Sequence, residues 1–220
     1  MEEKFKYLIE LEKQSIEKLD GIWAVQLFFR NFPYYMQRAN NRENDNYKHF
    51  DKVISENLPF PKNLPREVKS QFDAYQSQIW AMCIVYIEAI LEDFFFSIFD
   101  YLETDYKIKP KKLPRQASFL QDELINTLDT NLGIKISIDE TEKCQLVEMN
   151  ATRHLWIHKG GKIDAKYLQN NYVKSWWSES GQRIPNVNEL RILDEKYIKS
   201  NLFFSKKLIQ KNIILIVNNI

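Results

Sequence analysis

The chain has 220 residues, of which 44% are hydrophobic, and this is enough for one sizeable core. A formal net charge of +1 excludes a protein that coats nucleic acid nonspecifically, because that class needs a broad basic excess, but it leaves room for a local basic patch. Cys83 and Cys144 lie far apart with no further cysteine, which is typical of a reducing cytosol and predicts neither a disulfide framework nor a zinc site.

Residues that break helices are scarce, with only 5 Gly and 7 Pro, so we predict an all-α fold. We expect a single domain over residues 1–220, in which residues 1–65 form an N-terminal helix and a loop. The apolar run from Ile79 to Phe99 is interrupted by Glu88, Glu92 and Asp93, which predicts a buried helix rather than a membrane span. The N-terminus lacks the unbroken apolar stretch of a signal peptide. We therefore expect a soluble, cytoplasmic protein with no membrane partner.

The first half of the chain predicts two long helices. The first runs from about Glu2 toward Asn40 and is kinked or divided at Gly21 and Pro33. A polar and then Pro-rich loop covers residues 41–65. The second helix, from Arg66 to about residue 102, contains no Pro or Gly and has an apolar centre, which predicts that it is the spine of a helical bundle. Residues 107–116 then form a basic loop with five Lys or Arg and no acid.

The second half predicts three further elements and an irregular stretch. A shorter helix fits residues 118–128, and a fourth helix begins near Thr141 as its N-cap and ends at Gly160. The stretch from Tyr167 to Arg191 is predicted to be irregular. The last helix is expected over residues 194–218. We therefore predict an up-and-down bundle of four to five main helices.

One face of the fourth helix gathers groups that handle protons or anions. At about 100° per residue, Asn150, Arg153, His154 and His158 fall within an arc of roughly 140°. The glycines after Lys159 predict a C-terminal cap, so that His158 lies in the last turn, where the carbonyl end of the helix favours the imidazolium.

An arginine beside a histidine suits metal-independent cleavage of RNA. The histidine can take the proton of a ribose 2′-hydroxyl or give one to the leaving 5′-oxygen, and the guanidinium can hold the phosphate. One histidine cannot easily do both in the same step. The second proton carrier is therefore either His154 or a second copy of the site in a symmetric dimer.

The segment Arg153-His-Leu-Trp-Ile-His158 resembles the R-x(4–6)-H motif of the HEPN superfamily. A Gly-rich turn, HKGGKID, follows it, and the upstream IVYIEAILEDFFF resembles the "EA-x-L-x-D" helix of that family. Downstream, LDEKYIKSNLFF leads into a terminal helix, and the closest subgroup is that of the prokaryotic RiboL-PSP and MAE-type proteins. The resemblance covers about residues 66–220.

The resemblance implies an all-α homodimer whose two motifs share a cleft, with metal-independent endoribonuclease activity and no cofactor. It also implies a role in toxin–antitoxin or anti-phage defence, with RNA as substrate and a cognate antitoxin as a partner. Arg153 and His158 would be the catalytic pair, supported by His154, Asn150 and Glu148. The residues predicted to bind RNA are Lys159, Lys162, Lys111 and Lys112.

Plainer interpretations stay open at each position. Arg153 and His158 could form an ion pair with a carboxylate of the long helix, and His154 could be a packed core histidine. Glu148 lies about 160° from Asn150 on the helical wheel, which favours solvent or a salt bridge over proton transfer. The tryptophans at 176 and 177 could stack a base or anchor their loop. The basic loop could be a solvated linker, and the whole domain an inactive HEPN-like scaffold or a nucleotide-binding protein.

Overall fold

A computed structural model describes residues 2–40, 66–110, 113, 116–135 and 138–219, with side chains from 5–24 and from 77 onward within these ranges. The described residues contain no β-strand, only one isolated antiparallel bridge between Lys162 and Leu190. This confirms the predicted all-α fold. Seven helices occupy the described ranges: α1 (Glu2–Asn40), α2 (Arg66–Tyr106), α3 (Ala117–Leu132), α4 (Glu140–Lys159), α5 (Ala165–Gln169), α6 (Asn171–Ser180) and α7 (Glu195–Asn219).

Helix α2 is the spine of the bundle, as its apolar centre predicts. It contacts α1, α3, α4 and α7. Its side chains at Ile84, Ile87, Leu91, Phe94 and Ile98 are completely buried. Each such side chain contributes on the order of 1.5–3 kcal/mol through removal of apolar surface from water. Helix α2 therefore fixes the positions of the helices that pack around it, α4 included.

Helix α1 has the bounds that the sequence predicts, but it is not divided. It runs from residue 2 to residue 40 without a break, so the predicted division at Gly21 or Pro33 does not occur. The predicted loop over residues 41–65 lies outside the described residues. No helix among the described residues combines the length and the apolar character that crossing a bilayer requires.

Helix α4 begins and ends with defined caps. The predicted N-cap, Thr141, is wrong: Asp139 is the N-cap, and its carboxylate accepts from the backbone N–H of Glu142 at 2.7 Å. The Glu142 side chain in turn accepts from the backbone N–H of Asp139, which completes a capping box. The C-terminal end is as predicted, with Gly160 at φ 58° in the left-handed region. The next residue, Gly161, has φ 79° and packs against the indole of Trp156.

The stretch predicted to be irregular contains two short helices, α5 and α6. Asp164 caps α5 by accepting from the N–H of Tyr167, and Asn170 caps α6 by accepting from the N–H of Tyr172. Only residues 181–194 lack helix between α6 and α7. The two short helices pack on α4 through a small second core, formed by Leu155, Ile163, Tyr167, Val173 and Trp177.

Candidate functional site

Two side chains of α4 point at carboxylates of α2. The guanidinium Nη1 of Arg153 donates to Oε1 of Glu92 at 2.6 Å, and both side chains are mostly buried, at 24% and 18% exposure. One turn away, Nδ2 of Asn150 donates to Oε2 of Glu88 at 3.1 Å. Arg153 therefore forms an ion pair with the long helix α2, as its plainer interpretation predicts.

The two carboxyl groups of α2 differ in their charge. Glu88 is completely buried, and its removal from water raises its pKa to about 8, although the hydrogen bond from Asn150 and the charge of Arg153 act in the opposite direction. At neutral pH most Glu88 side chains hold a proton. Its Oε1 has no hydrogen-bond partner among the described residues. Glu92 is therefore the group that balances the charge of Arg153.

The two histidines of the motif lie side by side at the end of α4. Their ring centroids are 4.6 Å apart with an angle of 50° between the planes, as expected for residues four apart on a helix. His154 is exposed, so it is not the packed core histidine of the plainer interpretation. Partial burial lowers the pKa of His154, and the nearby charges of His158, Lys166 and Lys159 lower it further, while Asp164 opposes them. His154 is therefore mainly neutral at pH 7.

A groove runs between α3, α4 and the pair α5–α6, with a volume of about 410 Å³. Asn150 and His154 line it from α4, whereas Arg153 and His158 lie outside its lining. Phe119 of α3 and Tyr172 of α6 provide aromatic surface. Its charged lining residues are Lys143, Lys166, Asp122 and Asp164. Because Lys166 is separated from the motif in the sequence, periodicity within α4 could not indicate it.

Glu148, a predicted support of the site, belongs to a different part of the molecule. Its carboxylate is completely buried and pairs with Nη2 of Arg191 at 3.1 Å. It also accepts hydrogen bonds from the hydroxyls of Tyr197 at 2.6 Å, Tyr167 at 2.8 Å and Thr152 at 2.7 Å. The interpretation of Glu148 as a salt-bridge partner is therefore the one observed, and its role is to join α4 to the segment before α7.

The neighbouring tryptophans anchor the chain around that ion pair. The guanidinium carbon of Arg191 lies 4.5 Å from the ring centroid of Trp177 and 5.3 Å from that of Trp176. Trp177 is buried, and its Nε1 donates to the hydroxyl of Tyr167 at 3.2 Å. Anchoring, rather than presentation to a base, is therefore the role of Trp177. The sequence offered no signal for Arg191, because its partners come from three separate segments.

The lysines predicted to bind RNA divide into two pairs. Lys159 and Lys162 are exposed at and just beyond the end of α4. Lys111 and Lys112 lie outside the described residues. The described part of the chain holds no group of three or more His, Cys, Asp or Glu side chains that could bind a metal ion.

Comparison with known proteins gives no match to this chain, neither a family model, nor a curated protein, nor a solved structure. The resemblance to the HEPN superfamily therefore rests on the motifs of the sequence. The assignment of Arg153 and His158 as catalytic residues likewise stays a prediction. The geometry adds a histidine pair, an arginine held by a carboxylate, and a groove beside His154.

Proposed function

We propose that this protein is a metal-independent endoribonuclease of the HEPN type, acting on single-stranded or loop RNA in toxin–antitoxin or anti-phage defence. The observation that carries the proposal is the adjacency of the two motif histidines, whose rings lie 4.6 Å apart on an open turn. Cleavage of RNA needs one group that accepts the proton of the 2′-hydroxyl and one that donates a proton to the 5′-oxygen, and two neighbouring histidines can supply both. The motif arginine, Arg153, lies on the same helix, one residue before His154.

The two histidines have different roles in this mechanism. His154, with its lowered pKa, accepts the proton of the ribose 2′-hydroxyl, whose oxygen then attacks the phosphorus. His158 donates a proton to the 5′-oxygen as the P–O5′ bond breaks. The products are a 2′,3′-cyclic phosphate and a free 5′-hydroxyl, so that atoms and protons balance without a water molecule or a metal ion.

Arg153 is assigned to the phosphate. Its Nη1 donates to Glu92, and its Nε has no partner among the described residues but is buried, so a phosphate can reach only the N–H groups of the two Nη atoms. A guanidinium has five N–H donors, so the contact with Glu92 leaves others for the non-bridging phosphate oxygens. In this proposal Glu92 orients the guanidinium, and the phosphate of the substrate competes with Glu92 for its N–H groups.

A second copy of the chain is part of the proposal, as is a cognate antitoxin protein. Two copies related by a two-fold axis would bring two histidine pairs into one cleft. Light scattering on the purified protein measures whether it is a dimer at the concentrations used for cleavage. Loss of cleavage upon dilution to monomer is the expected result.

The decisive experiment is cleavage of RNA in the presence of EDTA. Wild-type protein should release fragments with cyclic-phosphate ends, and His154→Ala or His158→Ala should reduce the rate by roughly 10²–10⁴-fold. Arg153→Ala should act in the same direction, and His49→Ala, at the chain's remaining histidine, serves as the control. The proposal fails if the purified dimer does not cleave RNA, or if Arg153→Ala and His158→Ala cleave as fast as the wild type.

The ion pair between Arg153 and Glu92 favours a second candidate, an inactive HEPN-like scaffold that binds a partner protein or nucleic acid. Both Arg153 and Asn150 already have a carboxyl partner on α2, as side chains of a purely structural face would. Growth after induced expression separates the candidates in cells. Toxicity that disappears in His158→Ala supports the enzyme, whereas equal toxicity of both proteins supports the scaffold.

A further inference from the structure

The groove beside His154 has the size and composition of a ligand site. Its volume of about 410 Å³ lies within the range of roughly 300–1,000 Å³ that is usual for small-molecule pockets. Its floor on α4 is formed by Val147, Ala151 and Leu155, and its walls combine aromatic rings with a few polar and charged groups. A largely apolar concave surface with a small number of polar groups is the usual form of such sites.

The aromatic wall offers a surface for stacking. Phe119 lies in the first turn of α3 with 55% of its surface exposed, and its ring contacts no other ring among the described residues. Tyr172 faces the groove from α6, where the ammonium group of Lys143 lies 5.4 Å from its ring centroid. Exposed rings that line a concave surface are the groups on which single-stranded bases stack.

Charges of both signs surround His154: Lys166 and Lys159 act on its imidazole as cations, and Asp164 acts on it as an anion. Lys166 lines the groove, whereas Lys159 lies outside the groove lining. Lys166 forms no salt bridge with any described carboxylate, in contrast to Lys143, which pairs with Asp122 at 3.2 Å. An ammonium group without a carboxylate partner, beside a histidine, suits a phosphate oxygen.

We infer that this groove binds the nucleoside on the 5′ side of the cut, with its base against Phe119 and Tyr172 and its 3′-phosphate at Lys166 and His154. The inference rests on the proposed function for its orientation. His154 accepts the proton of the attacking 2′-hydroxyl, and that hydroxyl belongs to the nucleoside before the scissile phosphate. The groove that His154 lines therefore receives this nucleoside, and its walls decide which base precedes the cut.

The test is a calorimetric titration of the full chain with the 3′-monophosphates of the four ribonucleosides. Phe119→Ala should weaken binding roughly 5- to 160-fold, the range for loss of one base–aromatic stack. Lys166→Gln should weaken it roughly 12- to 160-fold, the range for loss of one hydrogen bond to a charged group. The matched controls are Phe203→Ala, at a phenylalanine of α7 with 62% exposure, and Lys174→Gln, at an exposed lysine outside the groove lining. Both should bind like the wild type.

Absence of binding, or equal binding by Phe119→Ala and the wild type, would overturn the inference. RNA cleavage distinguishes this failure from that of the proposed function. If the wild type cleaves RNA and Phe119→Ala keeps the same kcat/KM and the same cut sites, the groove inference is wrong and the ribonuclease proposal stands. If binding depends on Phe119 and Lys166 but no RNA is cleaved, the nucleotide site stands and the ribonuclease proposal is wrong.

Discussion

Removal of the charge of Arg191 tests how α4 is held in the bundle. Its guanidinium is 5% exposed and pairs with a completely buried Glu148 at 3.1 Å. The substitution Arg191→Met keeps an unbranched side chain against the tryptophan rings but leaves the Glu148 carboxylate buried with neutral hydroxyl donors alone. A buried carboxylate without a cation is strongly disfavoured, because no other charge replaces its lost hydration.

The expected loss is large for a single substitution. Removing one partner of a buried ion pair costs about 3–5 kcal/mol of the free energy of unfolding. At ~2–4 °C per kcal/mol for a chain of this size, the melting temperature should fall by roughly 6–20 °C. The second substitution Glu148→Gln should restore part of this loss, because glutamine keeps a carbonyl oxygen for the tyrosine hydroxyls and removes the unpaired charge.

Urea unfolding followed by circular dichroism measures both effects. The control is Arg183→Met, which removes an arginine with a 70% exposed side chain from its pair with Glu189. Solvent screens an exposed pair strongly, so this control should hardly change the free energy of unfolding. A loss below about 1 kcal/mol for Arg191→Met, or no recovery with Glu148→Gln, would refute the reasoning that the buried charge requires its partner.

Three further predictions concern α4 and its surroundings. The pKa of Glu88 is about 8 in the folded chain and 4.5 in the unfolded chain. As the pH rises from 4.5 to about 8, the unfolded chain loses this proton first, so the free energy of unfolding should fall by up to about 1.4 kcal/mol per pH unit. Glu88→Gln should remove that slope in urea unfolding at pH 5 and pH 8, and an unchanged slope would contradict the burial argument. The proposed mechanism requires a neutral His154, whose pKa is lowered from 6.5, so the rate of RNA cleavage should rise with pH as this histidine loses its proton. Lys166→Gln should move this rise to higher pH, because it removes a positive charge that lowers the pKa of His154. A pH–rate profile that does not move would contradict this. Gly161→Ala should destabilise the chain more than Gly160→Ala, because only the former would bring its Cβ to 2.8 Å from the underlying indole, and equal losses in urea unfolding would refute the contact.

The long helices could be predicted from the sequence because their signals are local. An apolar centre without Gly or Pro is enough to identify α2 as the spine. The sequence predicts an irregular stretch where α5 and α6 form, although the signals for these short helices are also local. Asp164 and Asn170 are good N-cap residues, and Val173 and Trp177 are spaced to share one helical face. The tryptophans and Pro185 obscured this pattern.

The sequence predicts which side chains of α4 share a face of the candidate site, but not the residues of other helices that they contact. Periodicity places Arg153 and His154 on one arc of α4, but it cannot name their partners. Glu92 lies 61 residues before Arg153, and Arg191 lies 43 residues after Glu148. Such contacts arise from the packing of whole helices, so they become visible only when the bundle is assembled.

The pairing of α2 with α4 joins a contact of the bundle core to the arginine of the proposed site. Two neighbouring carboxyl groups of α2 meet two polar side chains of α4, yet burial keeps Glu88 largely protonated and leaves Glu92 to balance Arg153. Any phosphate that binds Arg153 must therefore compete with Glu92 for the guanidinium. In an enzyme this competition is acceptable, since a transition state carries more negative charge than the substrate and gains more from the arginine. A scaffold has no transition state to stabilise, so Arg153 would stay paired with Glu92.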